Sequence, residues 1–145
     1  MKTITTEIFT FDELSDEAKE KAREWYRDGA LDYDWWESTY EDAANIGLKI
    51  TAFDLHHGTI EGKLIFSIED SIEKILTDHG PECETHKTAL QYKNTTDPDD
   101  YEYALLEDYR IMLQHEYNYL MSDEAVDDMI TCNEYTFTVS GERFD

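Results

Sequence analysis

Between residues 99 and 121 the chain carries one apolar stripe, Leu105, Leu106, Tyr109, Met112, Leu113, Tyr117 and Leu120, at the spacing of a single helix face. At 1.5 Å per residue this predicts a helix of about 34 Å, and a stripe that long must be covered by whatever else the chain folds. The covering elements are short. Ile4, Ile8, Phe9 and Phe11, interleaved with threonines, predict an opening strand. Ser15 then caps DEAKEKAREWYRD, where Leu14, Ala18, Ala22 and Trp25 recur at helical spacing up to Gly29. LDYDWWESTYEDA, residues 31–43, predicts a second helix capped by Asp34 and closed by Gly47. Trp36, Tyr40, Ala43 and Ala44 form its core stripe, Asp34, Glu37 and Glu41 lie outside, and Trp35 sits at the boundary.

The pattern then changes period. LKITAFDL and TIEGKLIFSI read as a hairpin turning through HHG, with Gly62 marking a bulge. Ile68, Ile72, Ile75 and Leu76 make a helical face that ends at Gly80 and Pro81, and residues 82–100 read as a polar loop. Ser122 caps a short helix over DEAVDDMI, and Tyr135, Phe137 and Val139 alternate with Thr136 and Thr138 in a final strand. The order β-α-α-β-β-α-α-α-β has no internal repeat, and its strands are not regularly separated by helices. It therefore predicts one α+β domain over residues 1–145, with a small, mostly antiparallel sheet of about four strands covered by several helices, rather than a doubly wound parallel sheet.

Apolar residues make up 40% of the 145 and aromatics 13%, enough large side chains to repay the entropy of folding. Against that stands a formal charge of −23, from 35 acidic and 12 basic residues, far more than solubility requires. Such a surface repels phosphates, which argues against direct binding of nucleic acid or an anionic membrane, and it attracts basic protein clefts. No stretch approaches the ~20 apolar residues of a transmembrane helix. MKTITTEIFTF lacks the apolar run of a signal peptide, so a cytoplasmic protein with Cys83 and Cys132 as reduced thiols is expected.

Motifs for chemistry are sparse. His79, Cys83 and His86 in HGPECETH are the nearest approach to a zinc set, with His56, His57 or Cys132 as a fourth ligand, but a single Cys without a CxxC partner is a poor match. Asp97, Asp99, Asp100 and Glu102 lack the glycine and the twelfth-position glutamate of a calcium loop, and fit a helix start. There is no nucleophile elbow, phosphate-cradling glycine loop or HExxH. Neither an enzyme nor a cofactor is expected; a small hydrolase would show itself by a bound metal.

The acidity is uneven along the chain. Residues 97–145 hold fourteen acids and two bases, and residues 32–58 hold six and one. Glu102, Glu107, Asp108, Glu116, Asp123, Glu124, Asp127 and Asp128 are countered within their own helices only by Arg110. Carboxylates three or four residues apart on a helix lie ~5–6 Å from each other and repel. DNA presents one charge per ~1.7 Å of axis, so a helical face of carboxylates offers a basic groove a comparable field. The plainer reading is a solvated acidic face. The first helix, with Lys19, Lys21, Arg23 and Arg27 among its acids, is mixed, so mimicry would involve only part of the molecule.

FDELSDEAKEKAREWYRDGALDYDWWESTYEDAANIGLKITAFDL at 11–55 and LLEDYRIMLQHEYNYLMSDEAVDDMITCNEYTFTVSGERF at 105–144 resemble a family of small acidic proteins of bacteriophages, prophages and their hosts, sometimes labelled antitoxin-like. The resemblance lends no catalytic residues. It implies a phage protein in an infected bacterial cytoplasm, and with the charge it points to an anti-CRISPR or anti-restriction inhibitor. Such an inhibitor would mimic DNA against a basic nucleic-acid-binding surface of a host defence complex. The expected partner-facing residues are the eight C-terminal carboxylates together with Trp35, Glu37 and Glu41. Reversing Glu107, Asp108, Asp127 and Asp128 to lysine should abolish inhibition without unfolding. The alternative is an antitoxin-like or regulatory module that binds through an apolar patch including exposed Trp35, its charge serving solubility alone.

Overall fold

A computed structural model describes residue 3 and residues 5–144 of the chain. Its elements run β1 (Phe9–Thr10), a 3-10 turn (Phe11–Glu13), α1 (Asp16–Gly29), α2 (Glu37–Asn45), β2 (Leu48–Asp54), β3 (Thr59–Leu64), α3 (Ile68–Asp78), α4 (Glu84–Gln91), α5 (Pro98–Leu120), α6 (Asp123–Cys132), β4 (Thr136–Phe137) and β5 (Arg143–Phe144). The fold is α+β, and all its strand pairs are antiparallel. The strands form two sheets rather than one, β1-β4-β5 and the hairpin β2-β3. Short strands show in sequence; which of them pair does not.

Serine side chains fix three helix starts. Ser15, Ser67 and Ser122 each accept the backbone N–H three residues on, at 3.2, 3.1 and 3.2 Å, and so open α1, α3 and α6. At the start of α5, Asp97 accepts the N–H groups of Asp99 and Asp100, and Pro98 occupies the first helical position, where no N–H is needed. The aspartates of NTTDPDD are therefore a helix cap. Helix α2 departs from expectation: it begins at Glu37, after Trp36 with no side-chain cap, so Asp34 caps nothing there. Ala44 is exposed rather than in the core stripe, and Ile46, just past the helix, is buried in its place. The opening strand is also shorter than the pattern suggests: Phe11 starts the 3-10 turn, Ile8 is exposed, and Ile4 lies outside the described residues.

Residues 82–100 contain a helix that periodicity missed. Helix α4 buries Thr85, Thr88 and Ala89, a face of small and hydroxylated side chains that leaves no apolar period to detect. The last strand stops at Phe137, and the chain turns at Gly141 into β5. Gly141 has φ +91°, and a Cβ there would lie 2.2 Å from the Ala18 carbonyl oxygen, so only glycine lets this turn rest on α1.

By internal contacts the chain divides into a terminal unit, Met1–Asp34 with Tyr117–Asp145, and a middle unit, Trp35–Glu116. The terminal unit is organised by Phe11, Leu14, Ala18, Ala22, Val126, Ile130 and Phe137, which join α1, α6 and β4. The middle unit packs α2, the hairpin, α3 and α4 around Tyr101, Leu105 and Tyr109 of α5. The β2 strand bulges between Ile50 and Ala52, opposite Gly62 and Glu61. A Cβ on Gly62 would lie 2.7 Å from the Lys49 carbonyl oxygen of the paired strand and 2.9 Å from Leu106 of α5, so glycine fits the close approach at the bulge.

Candidate functional site

No described Asp or Glu is buried, so the described carboxylates all lie at or near the surface. The residues expected to face a partner fall into both units. Trp35, Glu37 and Glu41, with Glu102, Glu107, Asp108 and Glu116 of α5, belong to the middle unit; Asp123, Glu124, Asp127 and Asp128 of α6 belong to the terminal one.

Many of these side chains are engaged within the protein. Arg23 grips Asp127 with two N–H donors, at 2.7 and 2.8 Å, and Arg27 donates to Asp123 at 2.5 Å and to the Met121 carbonyl at 3.0 Å. Asp123 and Asp127 of α6 are therefore countered, though from α1 rather than from their own helix. Arg23 and Arg27 of α1 thus face Asp127 and Asp123 of α6 with matched four-residue spacing and opposite chain direction. On α5, Arg110 pairs with Glu107 through both of its carboxylate oxygens, which holds the Glu107 pKa below its usual value. Glu102 accepts the Leu64 N–H at 2.9 Å, at the end of β3. Asp108 is half-buried and accepts the Thr88 hydroxyl at 2.6 Å; burial pushes its carboxyl pKa up, and the nearby Glu84 and Glu107 charges push the same way.

Glu102, Glu107, Asp108, Asp123 and Asp127 are thus engaged within the protein. The lysine reversal at 107, 108, 127 and 128 does not isolate binding, because it would set lysine against Arg23 and Arg110 and bury a cation beside Thr88. Glu37, Glu41, Glu116, Glu124 and Asp128 are exposed and have no hydrogen-bond or ion-pair partner among the described residues. Among them are two like-charged pairs at i,i+4 spacing, Glu37 with Glu41 on α2 and Glu124 with Asp128 on α6.

Trp35 sits at the boundary, as its place on the predicted helix implies, and is not the exposed aromatic of the apolar-patch reading. It is half-buried, with its ring 5.7 Å from both Trp36 and Phe53. Trp36 and Tyr40 also meet Phe53 edge-on, at 5.7 and 6.1 Å. The aromatics of residues 31–43 therefore anchor α2 to β2.

The middle unit also holds a polar chain that no local spacing announced. The Tyr109 hydroxyl donates to Asp42 at 2.8 Å, the other Asp42 oxygen lies 3.2 Å from His79 Nε2, and His79 Nδ1 lies 2.6 Å from the Thr85 hydroxyl. Burial, and then the facing Asp42 carboxylate, push the Tyr109 phenol above its ordinary pKa, so it donates as a neutral hydroxyl. Carboxylate, imidazole and hydroxyl stand in the order of a nucleophile relay. Thr85, however, is fully buried, so its hydroxyl is closed to any substrate and the chain ties α2, α4 and α5 together instead.

Both His79 ring nitrogens are occupied by this chain, and His86 Nδ1 lies 3.0 Å from the His79 carbonyl oxygen. Among the described residues no group of three or more His, Cys, Asp or Glu side chains is placed to hold a metal ion. Cys83 and Cys132 are free thiols. Among the described residues no helix is long and apolar enough to cross a membrane. No protein-family model, curated protein or solved structure matches the chain.

Proposed function

We propose that the protein is a non-enzymatic inhibitor of the anti-defence kind, acting in the bacterial cytoplasm. It would occupy a basic nucleic-acid-binding surface of a host defence complex, of the CRISPR or restriction type, and exclude DNA or RNA by charge and bulk. The observation that carries this reading is the set of exposed carboxylates left without a partner after the internal pairs are made. Glu37 with Glu41, and Glu124 with Asp128, are like-charged neighbours that each cost a helix about 0.2–0.5 kcal/mol, and a basic groove would turn that repulsion into attraction. The resemblance to small acidic phage and prophage proteins supports the setting.

The test uses carboxylates that do not hold the fold. Glu41, Glu116 and Asp128 lie outside the first turns of their helices, so lysine there opposes no helix dipole, and at 128 it makes an attractive pair with Glu124. The immobilised wild-type protein should capture a nucleic-acid-binding complex from host lysate at low salt, release it as salt rises, and lose it to added duplex DNA. The triple lysine variant should capture nothing. Retention of the complex by that variant, or indifference to both salt and DNA, would sink the reading. The competing reading, an antitoxin-like module binding through apolar surface, finds support in exposed Tyr33 and Met129 rather than in Trp35. Salt-insensitive capture lost on Tyr33→Ala would favour it.

A further inference from the structure

Aromatic rings gather near the C-terminal end of α1. Trp25 is 5.2 Å from Tyr135 at 87° and 6.4 Å from Tyr26 at 62°, edge-to-face arrangements that leave Trp25 exposed. Together with Asp28 and Gly29 these rings line a recess of about 340 Å³. Tyr26 is also a wall of a smaller recess, about 190 Å³, whose other walls include Leu31, Tyr33, Leu120 and Met129. Asp28 is the single charged residue lining either recess, and it has no hydrogen-bond or ion-pair partner among the described residues.

The same rings already take a guanidinium. Arg143 lies 4.7 Å from the Tyr135 ring centre and 5.8 Å from that of Trp25, and it is not among the residues lining the recess. Aromatic rings that already hold one guanidinium, beside an unpaired carboxylate, favour a cation. A planar guanidinium can stack on a ring while bonding a carboxylate through two N–H groups, which a lysine ammonium cannot do. The smaller recess carries no charge and suits an apolar side chain.

We propose that the two recesses form one docking site for a basic protein partner. An arginine side chain would enter between Trp25, Tyr26 and Tyr135 against Asp28, and the apolar residue next to it would pack on Tyr33, Leu120 and Met129. This rests on the reading that the partner is basic, and it adds a specific anchor to a diffuse acidic surface.

The probe is the peptide acetyl-Gly-Arg-Leu-Gly-amide, titrated into the full chain at fixed ionic strength while the Trp25 indole N–H resonance is followed by NMR. A saturable shift is expected. It should weaken by about ten-fold when citrulline, which keeps the shape without the charge, replaces arginine, and by a similar factor in Asp28→Asn. Tyr33→Ala should weaken the leucine peptide and leave the corresponding alanine peptide unchanged. An unmoved Trp25 signal, or equal binding of arginine and citrulline peptides, overturns the site. Oligolysine titrated in parallel separates the two readings: if it binds in a salt-sensitive way while the arginine peptide leaves Trp25 unmoved, the docking site alone fails. If neither binds, the acidic-surface reading fails with it.

Discussion

At Asp108 a half-buried carboxylate faces two others, and the Thr88 hydroxyl does not repay the lost hydration, since its pKa lies above the ordinary range. A carboxyl raised in the folded state favours folding most when protonated. Its contribution is complete below the unfolded pKa and is lost as pH rises through the folded value. Glu107 next to it has the opposite sign: its pKa, depressed by Arg110, gives stability above the ordinary carboxylate range that disappears as pH falls. Asp108→Asn keeps an acceptor for Thr88 and turns an amide toward Glu84 and Glu107. It should stabilise the protein by roughly 0.5–1 kcal/mol at pH 7 in urea unfolding, and the gain should vanish once the pH is low enough to protonate Asp108 in the wild type. A loss of stability at pH 7 would mean that the charge-assisted hydrogen bond outweighs burial.

Element boundaries here are set by single residues at the ends. Helix α6 closes with the Tyr135 N–H on the Ile130 carbonyl and the Glu134 N–H on that of Thr131, which puts Glu134 in left-handed backbone, at φ 57°, where glycine is usual. Glu134 also sets a negative charge at the negative end of the helix dipole. Glu134→Gly should therefore stabilise the chain by about 0.5–1 kcal/mol in thermal or urea unfolding; an unchanged or lower midpoint would mean that unfolded-state entropy outweighs relief at this position. The elements legible in sequence are those with an apolar period, α1, α2, α3, α5, α6 and the hairpin, although α2 starts at Glu37, later than a cap at Asp34 would have it. Helix α4 was not, because Thr85, Thr88 and Ala89 bury no apolar stripe; β1 and β4 showed as alternating residues but are only two residues long, and β5 is too short to show a period. For the candidate site, residue type identified the acidic helices but could not separate the carboxylates held by Arg23 and Arg27 from those left open. That separation depends on contacts about a hundred positions apart, as for Arg23 and Asp127.

Over the whole molecule, the excess that sequence order concentrates in the C-terminal third is shared. The terminal unit has 17 acids against 6 bases, a net −11, and the middle unit 18 against 6, a net −12. Bases of α1 offset carboxylates of α6 and the turn before β5, through Arg23, Arg27 and Lys21. Neither unit approaches neutrality, so each is compacted against its own repulsion. Raising ionic strength from ~0.01 to ~0.15 M shortens the Debye length from about 30 to about 8 Å, which screens diffuse repulsion across a unit far more than ion pairs in contact. Added potassium chloride should therefore raise the melting temperature over this range, while weakening capture of a basic partner. Opposite signs in the two titrations are the signature of an acidic surface kept for binding at some expense of stability. A melting temperature that falls with salt would show that contact ion pairs such as Arg23 with Asp127 and Lys74 with Asp78, rather than the net charge, dominate the electrostatics of folding.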